Sequence, residues 1–179
     1  YKTKNSLKYT LVYVPEGKEA DYSELDEYIE NEEEISLINE YTRAVSETDD
    51  SIMVKQYTSS TKNRDEVINN FGKGIIDVLT SMKCLDEGVD VPRSELAIFC
   101  ASTGNPRQFI QRRGRVLRTF PGKTHANIYD MVVAPSEELA SESAELQKME
   151  VNIFKSELLR VANFMYSSEN LMDTTNERV

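Results

Sequence analysis

Short apolar runs alternate with helix-like segments along most of the chain. The first run, residues 8–14, is nearly continuously apolar, as a strand buried on both faces of a sheet should be. Strand and helix alternation at this spacing predicts an α/β fold, with a mainly parallel sheet flanked by helices in three layers. The expected strands are residues 8–14, 52–56, 75–80, 96–101 and 127–133, and the expected helices are residues 21–47 with an interruption near Asn31, residues 61–71, and a helix that begins at Pro106.

The last part of the chain has helical spacing. From Ser136 to about Ser167, apolar side chains recur at three- and four-residue intervals, which predicts one long helix or two. We divide the chain into a main domain, residues 1–135, and a helical extension, residues 136–179. The apolar stripe of the extension is expected to pack on the main domain or on a part of the protein outside this sequence.

A strongly basic segment follows the fourth predicted strand. Residues 107–118 hold five arginines and no acidic residue, although the chain has a net charge of −10. Guanidinium groups bind phosphate well because each fork donates two parallel hydrogen bonds and stays charged at any working pH. From charge alone, an amphipathic surface helix with a solvated basic face is the favoured interpretation.

Helical geometry, at about 100° per residue, divides this segment into two faces. Gln111, Arg115 and Arg118 fall on the polar face. The opposite, apolar face carries Phe109, Ile110, Val116 and Leu117. The segment is therefore expected to pack through its apolar face and to present glutamine and arginine side chains to a ligand.

The other positions of the segment have more local interpretations. Asn105 followed by Pro106 is typical of a helix start, as N-cap and first helical residue. Gly114 costs about 1 kcal/mol relative to alanine, so a close approach of its backbone to another group is expected. Arg112 is expected to reach either the cleft or a carboxylate of this domain, and Arg113 to be a buried ion-pair partner.

The pattern Gln111-x-x-Gly114-Arg115-x-x-Arg118 resembles motif VI of superfamily 2 helicases and translocases. The other segments that resemble the family, in its order, are Tyr9–Pro15 (motif IV strand), Tyr57–Arg64, the turn at residues 71–74, and residues 78–92 (motif V). Together they resemble the C-terminal RecA-like domain of DEAD/DEAH-type helicases, particularly the group with bacterial helicase-like proteins and type III restriction subunits. The resemblance implies a three-layer RecA-like domain.

The resemblance also implies a nucleotide site that this chain completes from across a cleft. Arg115 and Arg118 are implied to be arginine fingers, which stabilise the charge of phosphoryl transfer, with Gln111 as a positioning group. Gly88 and Asp90 are implied to contact the nucleotide, Asp90 by holding the ribose or by orienting a finger. On local evidence, Gly88 can equally be a plain turn glycine and Asp90 an exposed turn carboxylate.

A second implied site contacts the backbone of a nucleic-acid strand. Thr58, Ser59, Arg64 and Thr80 match family positions that touch such a strand. Hydroxyl and N–H contacts to phosphate position a strand without reading its sequence. Ser and Thr at strand ends also commonly cap helices, so that alternative stays open.

The sequence lacks the usual parts that hold ATP. Residues 71–74 do not have the spacing of a G-x-x-x-x-G-K-[ST] phosphate loop, and no Asp-Glu pair follows an apolar strand. We therefore expect ATP with Mg²⁺ to be bound mainly by an N-terminal RecA-like domain outside this sequence, and no ATP hydrolysis by the chain alone. The start at Tyr1, without Met, fits such a fragment. The implied function is the motor half of an ATP-dependent helicase or translocase acting on DNA or RNA.

Other residue types narrow the alternatives. Cys84 and Cys100 lie in apolar stretches and are expected to be buried reduced thiols, and the single histidine, His125, makes a metal site or a histidine-based triad unfavourable. No run of about 18 apolar residues is present, so we expect a cytoplasmic protein without a membrane partner.

Three further functions stay open. They are the translocase subunit of a restriction-type nuclease, a non-enzymatic nucleic-acid-binding module, and a doubly wound domain for a small ligand. The last needs a glycine-rich loop after the first strand, which Pro15–Gly17 supplies poorly. Acidic residues in residues 16–50 oppose long-range attraction of nucleic acid, whereas the basic residues 107–123 can hold phosphate at close range.

Overall fold

The computed structural model describes residues 6–15, 27–82, 89–91, 93–100, 106–135, 143–165 and 168–169. The chain divides into two compact units, Tyr1–Met131 and Val132–Val179. The first unit contains a sheet with its helices, and the second contains a long helix. The boundary falls at Met131, whereas the sequence placed it after residue 135.

Five parallel strands form one sheet in the first unit. Their order is β2-β3-β1-β4-β5, and all neighbours run in the same direction. The predicted α/β fold with a parallel sheet is confirmed. The strands are β1 (Thr10–Tyr13), β2 (Val54–Gln56), β3 (Val78–Ser81), β4 (Leu96–Phe99) and β5 (Asn127–Asp130).

The helices in the described ranges are α1 (Glu27–Ser46), α2 (Arg64–Gly72), α3 (Pro106–Val116) and α4 (Ala144–Met165). α1 is continuous, so the predicted interruption near Asn31 was wrong. A single asparagine costs a helix less than about 1 kcal/mol relative to alanine, which is too little to break a helix that packs on a sheet. α4 is one helix, and the residues 136–142 that were expected to begin it lie outside the described residues.

β3 begins at Val78 instead of Ile75 because the chain is still closing α2 at that point. The backbone N–H groups of Ile75 and Ile76 both donate to the carbonyl of Asn70, at 2.9 and 3.3 Å. Gly74 has a φ of 71°, the left-handed conformation that commonly ends a helix. The apolar Ile75 therefore lies in a helix-ending turn, with an exposed side chain.

Helices cover both faces of the sheet, as a three-layer fold requires. Successive residues of a strand point to opposite faces. Val12 packs in one core cluster with Ile38 of α1. On the other face, the ring of Tyr13 stacks on that of Phe99, which contacts Phe109 of α3.

The chain leaves the carboxyl ends of β1 and β4 in opposite directions, from β1 toward the β2 side and from β4 toward β5. In parallel sheets, the crevice between two such strands is the usual place for a ligand. The loops that follow these strands, residues 16–26 and 101–105, lie outside the described residues. The predicted N-cap Asn105 is among them.

Candidate functional site

Helix α3 packs on the sheet through a face that contains arginines. Phe109 and Val116 are buried, as predicted. Arg112 and Arg115 are buried with them, at 1% and 8% exposure. Two residues of the expected packing face are exposed instead, namely Ile110 and Leu117.

The placement of Arg115 on the solvent side, and of Ile110 and Leu117 on the packed side, was therefore wrong. The helix ends at Val116, so helical spacing does not extend to Leu117 or Arg118. Within the helix, a long arginine stem packs like an apolar side chain while its guanidinium meets polar groups. The packed face of α3 thus includes side chains that hydropathy alone assigns to water.

Arg112 fixes α3 to the carboxyl ends of two strands. Its Nη2 donates to the carbonyl of Met82, directly after β3, at 3.0 Å. Its Cζ lies 5.2 Å from the centre of the ring of Tyr13 in β1, within the range of a cation–π contact. Phe109 adds a contact to Phe99 of β4, with ring centres 5.7 Å apart. One face of α3 therefore contacts three neighbouring strands.

Arg118 and Asp90 form an ion pair beyond the end of α3. Nη1 of Arg118 donates to Oδ1 of Asp90, and the two side chains are 48% and 63% exposed. Nζ of Lys123 donates to the carbonyl of Val116, which the helix end leaves without an intrahelical donor, and to the carbonyl of Arg118 beyond the helix. The ion pair joins the two segments that resemble motifs V and VI.

This ion pair lies toward the amino ends of the strands. Phe120, just after Arg118, lies 5.4 Å from the guanidinium of Arg93, which lies 4.2 Å from the ring centre of Tyr9. Tyr9 immediately precedes β1, and its carbonyl accepts from the backbone N–H of Glu95, before β4, at 2.9 Å. The segment that follows Arg118 therefore packs near the residues that precede β1 and β4.

The other residues of the expected nucleotide site differ in exposure. Gln111 is exposed, as Arg118 is, whereas Arg115 is buried. Arg113 is half-buried. A Cβ added at Gly114 would meet nothing within 4 Å, so the expected close approach is not made by any part of the chain that the structure describes. Gly88 lies outside the described residues.

A polar loop follows β2 at the carboxyl edge of the sheet. The backbone N–H of Thr58 donates to Oγ1 of Thr61 at 2.7 Å, and the hydroxyls of Thr58 and Ser60 are 2.9 Å apart. Nη2 of Arg64 donates to the carbonyls of Thr58 and Ser59, at 3.1 and 2.8 Å. The structure thus brings Thr58, Ser59 and Arg64 together, with the exposed arginine holding the loop.

Thr80 does not share this exposed surface. Its side chain is fully buried, and its Oγ1 lies 2.8 Å from Oγ1 of Thr42 in α1. Thr42 also donates to the carbonyl of Ile38 at 2.6 Å and accepts from Nε2 of Gln56 at 3.2 Å. The Thr80 hydroxyl therefore links α1 to the sheet and is out of reach of a bound strand in this structure.

The sequence did not identify the contacts of Arg112, and it did not single out two other structurally central side chains. Arg112 was expected to reach the cleft or a carboxylate, and its contacts to a backbone carbonyl and a tyrosine ring were not foreseen. Arg93 and Lys123 were not singled out. The aromatic Tyr13 at the end of β1, after Leu11 and Val12, is the signal in the sequence that points to a special contact there.

Cys100 lies at the carboxyl end of β4, where its backbone N–H donates to the carbonyl of Tyr13 at 2.9 Å. Burial raises the pKa of its thiol from the ordinary 9.0 to about 11, since desolvation disfavours the thiolate. Cys84 lies outside the described residues.

Among the residues with described positions, no group of three or more His, Cys, Asp and Glu side chains is placed to hold a metal ion. No helix within the described ranges has the length and apolar character needed to cross a bilayer.

Comparison with known proteins gives a consistent result. Over 67 residues, the chain is 42% identical to "DNA 3'-5' translocase XPB2" of Sulfurisphaera tokodaii, a match covering 37% of this chain and 15% of that protein. It is 30% identical over 124 residues to "ATP-dependent DNA helicase MPH1" of Saccharomyces cerevisiae, covering 66% of this chain and 12% of that protein. The chain thus spans only a small part of the length of these relatives.

A solved structure of the C-terminal part of the Fun30 ATPase domain superimposes with a TM-score of 0.52. The sequence identity is 14%, and the match covers 83% of this chain and 38% of that chain, so it supports the fold alone. Residues 4–120, well over half of the chain, match the family described as "Helicase conserved C-terminal domain". The chain therefore belongs to the helicase conserved C-terminal domain family.

Proposed function

We propose that this chain is the C-terminal motor half of an ATP-dependent superfamily 2 helicase or translocase. ATP with Mg²⁺ is held mainly by an N-terminal RecA-like domain of the same protein, and Arg118 reaches its phosphates from across the cleft. The observation that carries the proposal is the exposed Arg118–Asp90 ion pair, which joins the motif V and motif VI segments. ATP bridges the two domains and closes the cleft, and hydrolysis reopens it, which moves the protein along a strand.

The position of Arg118 supports an action on a nucleotide held elsewhere. A parallel sheet binds its own ligand at the carboxyl edge, but Arg118 lies toward the amino ends of the strands. Its guanidinium is half-exposed and can meet a group on another domain.

The ion pair with Asp90 suits a contact that is exchanged during a cycle. Exposed ion pairs contribute only about 0–1 kcal/mol, because both partners are well solvated. A triphosphate carries several negative charges and accepts bidentate hydrogen bonds from arginine, so it competes effectively with one carboxylate. In the proposed cycle, Asp90 holds Arg118 when the nucleotide is absent and releases it to the phosphates when the cleft closes.

Gln111 and Arg115 differ in how exposed their side chains are, and so in their proposed roles. The exposed Gln111 is proposed as a positioning group at the same cleft. Arg115 is 8% exposed, so its guanidinium must leave the packed face of α3 before it acts as a second finger. Arg118 is therefore the principal finger of the proposal, and Gly88 and Asp90 complete the nucleotide contacts.

The nucleic-acid strand is proposed to run over the polar loop after β2. The exposed Ser59 and the partly exposed Thr58 offer hydroxyl and backbone groups to phosphate, and Arg64 holds their carbonyls in place. This loop lies at the carboxyl edge and the ion pair lies toward the amino ends, so strand and nucleotide occupy separate places. Thr80 is left out of this surface because its hydroxyl is buried.

Nucleic-acid-stimulated ATP hydrolysis by the complete protein tests the proposal. Arg118→Ala is expected to lower kcat by about 10³-fold or more, the effect typical of a lost arginine finger. Asp90→Asn leaves Arg118 in place and is expected to reduce kcat less. Arg43→Ala removes an exposed arginine from the last turn of α1 and serves as the matched control. Near-normal turnover by Arg118→Ala would remove the finger from the proposal.

The chain without its partner domain provides a second test. It is expected to bind single strands weakly and to hydrolyse no ATP. Tight binding with a steep salt dependence, together with an inactive complete protein, would instead support a non-enzymatic binding module.

A further inference from the structure

We infer that Arg112 is a positioning residue for the nucleotide site: its buried guanidinium anchors α3 to the start of the β3–β4 connection while Arg118 changes partners. The inference deepens the proposed function and rests on it for the kinetic part of its test. It concerns a residue that touches neither nucleotide nor strand in the proposal. The geometry that carries it lies in α3 and the segment after it, in β1, and in the connection from β3 to β4.

Burying the guanidinium of Arg112 costs free energy. Arg112 is 1% exposed and is the largest of the fully buried side chains in the described residues. Taking a charged group out of water is unfavourable by several kcal/mol, and an apolar side chain of similar size avoids that cost. A charge kept at such a place must supply something that packing alone does not supply.

The guanidinium of Arg112 contacts a backbone carbonyl and an aromatic ring. It donates to the carbonyl of Met82 at 3.0 Å and lies 5.2 Å from the ring centre of Tyr13. Tyr13 in turn stacks on Phe99, with ring centres 4.9 Å apart. A planar guanidinium that faces a ring and donates in its own plane has a fixed orientation, which fixes the rotation of α3 about its axis.

Met82 and Asp90 lie in the same connection between two strands. Met82 begins the connection from β3 to β4, and Asp90 lies further along the same connection. Arg112 binds the first and Arg118 binds the second. Two arginines of one short segment therefore contact one connection at two places, and this connection contains the residues that resemble motif V.

The two contacts differ in how easily they exchange. The Arg118–Asp90 pair is about half-exposed and competes with solvent and phosphate. The Arg112 contact is buried, so water and phosphate do not compete for it as they do for the exposed pair. Arg112 thus keeps α3 in register with the connection when Arg118 leaves Asp90, and the finger reaches the same place in every cycle.

The test uses the complete protein with Arg112→Met, which keeps an unbranched stem and removes the guanidinium donors, and with Arg112→Lys, which keeps the charge and a donor. Arg112→Met should lower kcat for ATP hydrolysis by about 10- to 100-fold and change KM by less than about threefold, as expected for a displaced catalytic group. Arg112→Lys should restore part of that loss. Arg43→Met, which removes an exposed arginine, should stay within about twofold of the parent.

The double variant Arg112→Met/Arg118→Ala separates positioning from general damage. If Arg112 acts through Arg118, adding Arg112→Met to Arg118→Ala should lower kcat by less than about twofold further. An equal loss in both backgrounds, or an Arg112→Met enzyme within about twofold of the parent, would overturn the inference. An active Arg118→Ala protein would overturn the finger assignment without deciding the role of Arg112.

Amide hydrogen exchange decides that role without any activity. Arg112→Met should speed exchange about fivefold or more in peptides covering α3 and Asp90–Val91, and leave α2 unchanged. A uniform increase over the whole domain would show loss of global stability and would overturn the positioning role. Unchanged exchange in α3 would overturn it as well.

Discussion

The substitution Thr80→Val separates a structural role of this residue from a role in strand binding. Valine has nearly the shape of threonine and suits a strand, so the change removes the hydroxyl and little else. In the structure, this hydroxyl makes one described contact, to Oγ1 of Thr42 at 2.8 Å. If the contact only fastens α1 to the sheet, the chain should lose stability and keep its affinity for nucleic acid.

The size of the loss follows from the partners of Thr42. After the substitution, Thr42 still donates to the carbonyl of Ile38 and still accepts from Gln56, so no buried group is left without a hydrogen bond there. A net hydrogen bond contributes about 0.5–1.5 kcal/mol, and this range is the expected loss in the free energy of unfolding. For a chain of this size, that loss corresponds to a fall in Tm of about 1–6 °C.

Thermal and urea denaturation of the chain would measure the loss, and fluorescence anisotropy with a labelled single strand would measure the affinity of the complete protein. Thr58→Val, in the exposed loop after β2, is the matched control. It should leave Tm nearly unchanged and weaken strand binding. A Thr80→Val protein with unchanged Tm and an affinity reduced by about tenfold or more would refute the structural reasoning and would return Thr80 to the strand surface.

Two further outcomes are expected from the described contacts. Glu157 pairs with Arg160 through both oxygens, at 2.9 and 2.7 Å, and also accepts from the backbone N–H of Val133. Since both charged side chains are buried, at 3% and 8% exposure, Glu157→Ala should cost about 3–5 kcal/mol of unfolding free energy by urea denaturation, and a cost below about 1 kcal/mol would contradict this. In a Cys84→Ser protein, Cys100 should react with iodoacetamide at pH 8 about a hundredfold more slowly than an unburied thiol, because the raised pKa of its thiol lowers the thiolate fraction. The rate should rise about tenfold for each unit of increasing pH. A rate equal to that of a free thiol, measured by mass spectrometry, would contradict the raised pKa.

The parallel sheet could be predicted from the sequence because its central strands β1, β3 and β4 are buried on both faces. Such strands must be apolar at nearly every position, and residues 8–14 show this directly. Strand ends were harder to place, since the apolar Ile75 belongs to the turn that closes α2. Apolar character marks a buried run but does not record which backbone carbonyl accepts the next hydrogen bond.

The candidate site was only partly accessible to the same reasoning. The motif order singled out Asp90 and Arg118, which the structure places in one ion pair although they are 28 positions apart. Thr58, Ser59 and Arg64 are neighbours in one loop, so local sequence was enough to group them. The roles of these residues in binding stay proposals for the experiments above.

The sequence by itself determined the alternation of strands and helices, the position of the basic segment, and the order of the motifs along the chain. All three depend on local spacing and residue type. Tertiary structure alone decided which arginines are buried. Helical spacing gives the faces of α3 but not the surface that one face will meet, and for Arg112 that surface includes the ring of Tyr13 and the carbonyl of Met82, the latter 30 positions away in the chain. Only the folded chain brings this acceptor and this ring to Arg112, so its burial could not be read from the spacing of α3 alone.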